Sequence, residues 1–411
     1  MDVKQIYSLM NSVSGEVLGK TDLIQEDLTG IVDMGVAVFN QNAVDNYVKS
    51  LVNHIGKVVF VNRPYAGKIP SVLMDAWEFG SVLEKISADI PAATENSSWD
   101  LTDGQTYSQD VFHKPTVTAK FYNSKVTFEV PVSITERQVK ESFSSAEQLN
   151  GFISMIYNAV DKSMTIKTDA LVMRTINNMI AETVQNDIDS FTGGDLGAGS
   201  SNRAVNLLYL YNTRFNKTLA AEDALTDPDF IRYASYIMGM YADRMATIST
   251  LFNCGEKERF TAPELLHTVL LSDFSKAAEV YLYSDTFNKE NVRIPKHESV
   301  SCWQGTGKTF AFEDVSKVYI KKGTGKDTVE TTVPGVLGVM FDRDALGVTN
   351  LDRRVTSNYN AKAEFFNNYF KFDAGYFNDT NENFVVFFVA DPAGSGSGSG
   401  SGAGSGSGQG Q

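Results

Sequence analysis

Cysteine is nearly missing from this 411-residue chain, with Cys254 and Cys302 the only two. That number excludes a disulfide framework. Both sit among apolar neighbours and read as small core residues and not as reactive thiols. Histidine is almost as scarce: His54, His113, His267 and His297 are scattered, without an H-E-x-x-H or other paired-ligand spacing, so no zinc site is expected. No G-x-S-x-G elbow occurs, and neither cysteine has a convincing histidine partner. No apolar run approaches the ~18 residues of a membrane span. The opening MDVKQIYSLMNSVSGEVLGK lacks a basic stretch followed by an apolar one, so no signal peptide is expected and folding in a cytoplasm is. Basic side chains are outnumbered 36 to 50, for a net charge of -14 and a pI near 4.8. Such a surface repels phosphate on average and argues against a dedicated nucleic-acid binder.

What is present is an ordinary globular composition, 42% hydrophobic and 21% charged, too apolar for disorder. Residues 393 to 411 are only Ala, Gly, Ser and Gln, a tether by composition, which leaves 392 residues to fold. Length predicts two or three domains. The first 55 residues alternate turn formers with short apolar pieces and suit an extended arm; KVVFVNR, 57 to 63, reads as a strand. From Ala76 to Val132 the pattern is a long hairpin. Its outgoing part is AWEFGSVLEKI, its tip is rich in Pro, Asn, Asp, Ser and Gly, and its return is PTVTAKFY, a turn at Asn123 to Lys125, then VTFEVPV. Little of that tip is apolar enough to bury itself, so the hairpin is expected to reach for something else.

Helices are expected next. Ser133 with Glu136 has the spacing of a capping box for a short helix over 133–143. Residues 146 to 182 contain no proline, and Leu149, Phe152, Ile153, Ile156, Val160, Met164, Leu171, Met173, Ile176 and Ile180 fall mostly on one stripe. That predicts a spine of roughly 54 Å at 1.5 Å per residue, too long for most compact enzymes. FTGGDLGAGSSN, 191 to 202, reads as a flexible joint. Asp227 followed by Pro228 opens a second helix, with Phe230, Ala234, Ile237, Tyr241, Met245, Ile248 and Phe252 on its apolar face. VLLSDFSKAAEVYLY is a strand leading into a helix. Beyond Lys308 the chain reads as strands: TFAFEDVSKVYIKK, VLGVMFDRDAL and NFVVFFVAD. The fold class is therefore α+β.

Four apparent motifs have plainer readings. Gly305-Thr306-Gly307-Lys308-Thr309 resembles a phosphate loop, but Cys302 stands where the first glycine belongs and TFAFEDV alternates like a strand where a helix should start. A tight turn is the better reading, and a nucleotide-binding enzyme using Gly305 to Thr309 is the rival from another class. Trp99 to Gly104 imitates a calcium loop without carboxylates at its first and third positions. Asp342-Arg343-Asp344 suits a local ion pair more than a metal. Asn177-Asn178 and Asn367-Asn368 offer amides for isopeptide bonds, with no lysine partner identifiable.

The order of arm, long hairpin, spine, glycine-rich joint, helical lobe and returning strands resembles the major capsid proteins of tailed bacteriophages, with their Hong Kong-type shell fold. The passages that carry it are FHKPTVTAKFYNSKVTFEVPVSITERQVKESFSSAEQLNGFISMIYNAVDKSM (112 to 164), VLGVMFDRDALGV (336 to 348), and the run from RVTSNYNAKAEFFNNYF to ENFVVFFV. SLVNHIGKVVF, 50 to 60, together with the spine is most similar to the shells of small short-tailed phages.

The resemblance covers about residues 45 to 390 and implies an N-terminal arm (1–56) and an extended hairpin with its base (57–134). It further implies a peripheral domain holding the spine (135–194) and the return strands (331–392), and an axial domain (195–330). A flexible tail, 393–411, follows; the immunoglobulin-like domain that some relatives carry there is not seen, nor is a long N-terminal helical extension. It implies a non-enzymatic, self-assembling shell without cofactor, metal or catalytic residue, icosahedral or prolate, built of pentamers and hexamers around double-stranded DNA bound without sequence preference. A separate scaffolding protein and a portal are expected partners, and no membrane is. A cellular nanocompartment of the same fold is the nearest rival, and a surface adhesion module is disfavoured by the lack of a signal peptide. Trp77, Phe79, Trp99 and Phe121 lie in the expected hairpin and are the candidate inter-subunit contacts.

Overall fold

The computed structural model describes residues 70–74, 83–107, 110, 112–135, 146–283, 296–304, 309–322 and 329–393. The expected arm, the strand at 57–63, Trp77, Phe79, His54, the Gly305–Lys308 loop and nearly all of the Gly/Ser tail lie outside these residues. The chain is of mixed helix and strand, and it divides into two compact units. Among the described residues the first unit takes 128–135, 146–166 and 353–372, and the second takes the remainder.

The second unit is built on a five-stranded sheet of order β5-β13-β10-β6-β7. Its strands are β5 (Ala204–Asn206), β6 (Leu266–Leu271), β7 (Glu298–Val300), β10 (Val336–Asp342) and β13 (Phe384–Phe388). Central β10 pairs antiparallel with β13 (Met340 opposite Val385) and with β6 (Met340 opposite Thr268). Every residue of β10 and β13 is buried, which is why VLGVMFD and FVVFF are continuous apolar runs and not alternating ones. Five such side chains at ~1.5–3 kcal/mol each contribute on the order of 10 kcal/mol from β13 alone, as an upper bound. Gly335 ends the approach to β10 at φ 59°, and a Cβ there would sit 2.1 Å from the carbonyl oxygen of Val389, so only glycine fits.

Two helices cover this sheet. The first is α3 (Pro228–Met245), entered as expected: the Asp227 carboxylate accepts from the amides of Asp229 and Phe230, with Pro228 in the first turn. It buries Phe230, Ala234, Ile237, Tyr241 and Met245, but ends there; Ile248 is exposed and only Phe252 returns to the core. The second is α4 (Ser272–Tyr283), which follows β6 directly and buries Phe274, Ala278 and Leu282. Between β5 and α3 runs α2 (Leu207–Phe215), capped by Asn206, whose side-chain oxygen accepts from Leu208 and Tyr209.

The spine is α1 (Ala146–Asp187), 42 residues and about 63 Å long, five residues longer than expected. Its apolar stripe does not persist. From Leu171 onward burial spreads around the helix to Val172, Thr175, Met179, Thr183 and Val184 as well as the expected Ile176 and Ile180. A helix surrounded by protein loses its polar face.

Four readings from sequence are corrected here. Ser133 caps no helix: it lies in β4 (Lys125–Thr135), where its hydroxyl donates to Asn367 Oδ1 at 2.6 Å. Strand alternation, which β4 keeps as far as Ile134, outweighed the local capping spacing. The glycine-rich 191–202 segment is packed and not a loose joint. Phe191 and Gly197 are buried, a Cβ on Gly197 would meet the Asp391 carbonyl oxygen at 2.0 Å, and the Asn206 amide bridges the carbonyls of Leu196 and Ala390. Gly197 and Gly199 allow close approach, to Asp391 and to Phe191, while Gly193 and Gly194 turn the chain at positive φ. TFAFEDV is no strand either, for Phe312–Val315 forms a short helix, α5, before β8 (Val318–Lys322) pairs with β9 (Val329–Val333). Finally, Asp342 caps a turn by accepting the Asp344 amide at 2.9 Å and does not pair with Arg343.

A four-stranded sheet has the order β1-β11-β12-β4, with β1 (Leu73–Met74), β11 (Leu346–Asn360) and β12 (Phe365–Asn378). Within the first unit its strands are held by aromatic contacts: Phe128 stacks on Phe372 at 6.3 Å and Tyr157 meets Phe370 edge-on at 5.8 Å. Residues 353–364 are exposed throughout.

Candidate functional site

Of the expected hairpin, the described residues show β2 (Leu83–Ala88) paired antiparallel with β3 (Val117–Tyr122), from Leu83 opposite Tyr122 to Ala88 opposite Val117, while the outgoing residues 76–82 lie outside them. Directly opposed residues in such a pair share a face. The register therefore puts Glu84, Ile86 and Ala88 on one face with Phe121, Ala119 and Val117, and all six are exposed. Five of the six are apolar, and Ile86 and Phe121 are 63% and 65% exposed. A two-stranded ribbon with one bare apolar face is marginal by itself.

The opposite face explains why the ribbon holds. Lys85 and Lys120 are directly opposed, a pairing that like charges disfavour. Both converge on one carboxylate: Asp379 lies 2.9 Å from Lys85 Nζ and 2.7 Å from Lys120 Nζ. Lys85 Nζ also reaches Glu382 at 2.8 Å and donates to the Asp344 carbonyl at 3.1 Å, while Arg259 Nε stands 3.6 Å from Glu382. The Asp379 amide donates to the Ala345 carbonyl, and the Asn381 amide donates to the Asp379 carboxylate, so the acceptor is itself fixed. Lys257 holds Asp89, just past β2, at 3.2 Å.

Burial works against the charge of Asp379, but the hydrogen bonds from Lys120 and Lys85 outweigh it and hold this carboxyl below the usual aspartate range. Burial likewise opposes the charge of Lys85, and its bonds to Glu382 and Asp379 prevail and raise it. Tyr122 packs on Phe377 at 5.2 Å; burial first, then the Asp379 charge, raises its phenol.

Between the strands, 89–116 forms a surface excursion closed by the Asp89 amide on the Thr116 carbonyl. Local bonds shape it: Asn96 accepts the Ser98 amide, Tyr107 Oη accepts the Thr102 amide, and Gly104 turns at φ 82°. Its described residues are almost all exposed. Trp99 is 96% exposed and Phe112 86%, with Ile90, Leu101 and Tyr107 also in solvent. Of the four residues singled out by sequence, Trp99 and Phe121 lie on this element and are exposed, and Trp77 and Phe79 lie outside the described residues. Ile86, Leu101 and Phe112 were missed; the alternation of LEKISA was the available signal for Ile86.

Other candidate chemistry is thin. Among the described residues no group of three His, Cys, Asp or Glu could hold a metal ion, and no helix is long and apolar enough to cross a membrane. His267 stacks on Phe341, and burial holds its pKa down; His297 shares a hydrogen bond with Ser275 at 2.9 Å. Cys254 and Cys302 are in no disulfide and are half-buried, less enclosed than expected, and burial raises the Cys254 thiol away from reactivity. Asn177 donates to the Trp303 carbonyl at 2.6 Å, and Asn367 accepts from Ser133. A cavity of ≈ 650 Å³ lies beside the C-terminal half of α1, lined by Asn178, Glu182, Gln185, Lys322, Tyr376 and Asn378 among others. Among the described residues its lining presents no nucleophile–base pair.

The model of the Phi29-like phage major capsid protein family matches residues 8–388. No curated protein sequence matches the chain. Among solved structures, the capsid of Staphylococcus phage Andhra is similar in fold, with a TM-score of 0.52 at 9% identity over 82% of this chain and 87% of that one. The capsid of cyanophage P-SCSP1u aligns over 83% of this chain and 94% of that one, at 10% identity and a TM-score of 0.45. The fold likeness rests on the first of these.

Proposed function

The chain belongs to the Phi29-like phage major capsid protein family, and from that premise we propose that its β2–β3 hairpin and the loop between its strands are buried by a neighbouring copy in the shell. The protein is a structural subunit of a phage capsid. The observation that supports the burial is the one-sided hairpin. One face is held by Lys85 and Lys120 on Asp379, and the other is left apolar and exposed at Ile86, Ala119 and Phe121. Extended elements of this kind multiply buried area per subunit beyond what a globule offers, and many modest contacts add up in a closed shell.

The copies form pentamers and hexamers, with a separate scaffolding protein and a portal, in the host cytoplasm. The spine and the return strands make the peripheral part, residues 195–330 the axial part, and residues 1–56 an arm. The subunit carries no catalytic activity. Its charge of -14 lets an inner wall enclose double-stranded DNA without adhering to it; tight, salt-sensitive DNA binding by purified shells would contradict that. Electron microscopy of shells from the wild type and from Ile86→Asp with Phe121→Ser tests the assembly role. Closed shells from the wild type and free subunits from the variant are expected; normal shells from the variant would reject the hairpin as an interface.

A further inference from the structure

A second concave feature lies apart from the hairpin, where the end of α2 meets the start of α3. This cavity of ≈ 500 Å³ has a floor of packed rings: Tyr211 lies 5.1 Å from Phe215 and 5.7 Å from Tyr233, and Phe215 lies 5.5 Å from Tyr233. Tyr236 and Phe215 remain exposed at its edge. Three cations line it, Arg214, Lys217 and Arg232, against one carboxylate, Asp229. Asp229 is shared between Lys217 and Arg232 at 3.4 Å each. Arg214 stands over Phe215 and Tyr233 at 5.9 Å from each ring and has no carboxylate partner among the described residues. On a chain of net charge -14 this is a local reversal of sign.

The hairpin loop carries the complement. Residues 89–107 contain Asp89, Glu95, Asp100 and Asp103 and no Lys or Arg. Asp89 is taken by Lys257, while Glu95, Asp100 and Asp103 have no ion-pair partner among the described residues. Around them stand exposed Trp99, Leu101 and Tyr107. Three carboxylates flanking an exposed indole complement a cleft whose three cations outnumber its one shared carboxylate around an aromatic floor, in sign and in the capacity for ring stacking and cation–π contact.

We infer that the α2–α3 cleft receives the acidic, aromatic loop 89–107 of a second copy. This rests on the proposed burial of the hairpin by a neighbour and names where its tip goes. Duplex DNA, the other abundant anion near a phage shell, offers phosphate but keeps its bases stacked, leaving the aromatic floor without a partner.

The test is a charge swap. Arg214→Glu with Arg232→Glu is expected to raise the subunit concentration needed for shell assembly by about tenfold or more. Adding Asp100→Lys with Asp103→Lys to the same chain should restore it. Unchanged assembly in the glutamate variant overturns the inference. So does a loss that the lysine pair does not rescue in a chain whose unfolding midpoint equals the wild type's, since the cleft would then serve another acidic partner. A readout free of the swap is a cysteine pair, Ser98→Cys with Tyr236→Cys, oxidised in finished shells against each single variant. An intermolecular disulfide specific to the pair is expected, and its absence overturns the assignment. If Ile86→Asp blocks assembly while the cleft variant does not, the hairpin interface stands and only its docking site fails.

Discussion

Strands β13 and β2 are five and six residues long, each paired antiparallel to a neighbour, and they meet opposite surroundings. In FVVFF every residue is buried by the chain's own sheet and helices. In LEKISA alternate residues face solvent, and the partner strand adds Val117, Ala119 and Phe121 to the same bare face. The core strand is held by apolar burial on both sides. The hairpin is held by charge on one side only, through lysines that meet acids some 260 to 300 residues away. A shell subunit needs both kinds: a core that makes it a stable unit before assembly, and surfaces that are stable only afterwards.

Substitutions at three levels break that contrast in turn. The largest effect on the isolated chain is expected from Phe387→Ala in β13, which opens a cavity in the core at a cost of about 3–5 kcal/mol. Its measure is the denaturation midpoint of unassembled protein. Next is Asp379→Asn, which leaves Lys85 and Lys120 opposed without their shared acceptor. About 2–3 kcal/mol of anchoring is expected to go, seen as faster amide exchange over 83–88 and 117–122 with little change in β10 or β13.

The same anchor has a pH signature. Asp379 is shifted below its ordinary value, so its contribution is present above that value and is lost as pH falls through the depressed one. Lys85 is shifted upward, so its contribution is full below the ordinary lysine value and is lost as pH rises through the raised one. Amide protection of the hairpin should therefore hold across neutral pH and fall at both extremes, and a flat profile in acid would remove Asp379 from the anchor. The smallest effect on the isolated chain belongs to Phe121→Ser, expected within about 0.5 kcal/mol of wild type, yet this variant should assemble poorly. Sedimentation of the two states separates folding from assembly.

Much of the scaffold was legible because its signals are local. The Asp227-Pro228 entry, the proline-free spine and the apolar runs of β10 and β13 each announce an element within a dozen residues or so. What failed were local signals overruled by packing. Ser133 has capping spacing to Glu136 but sits in a strand that alternates on either side of it, and Gly197 serves close approach to Asp391, which no reading of that segment alone could show. The candidate surface was half legible. Polarity and turn residues marked the hairpin, and aromatics marked Trp99 and Phe121. The Lys85–Asp379–Lys120 anchor joins residues too far apart in sequence to be paired without the fold, and the cleft at Arg214 depends on how two helices meet.

The central claim is that the bare face of β2–β3 is covered by a neighbouring subunit. Hydroxyl-radical footprinting of Ile86 and Phe121 in free subunits and in finished shells tests it most directly. Strong labelling in the free chain and marked protection in the shell are predicted. Equal labelling of both side chains in the two states would contradict the account.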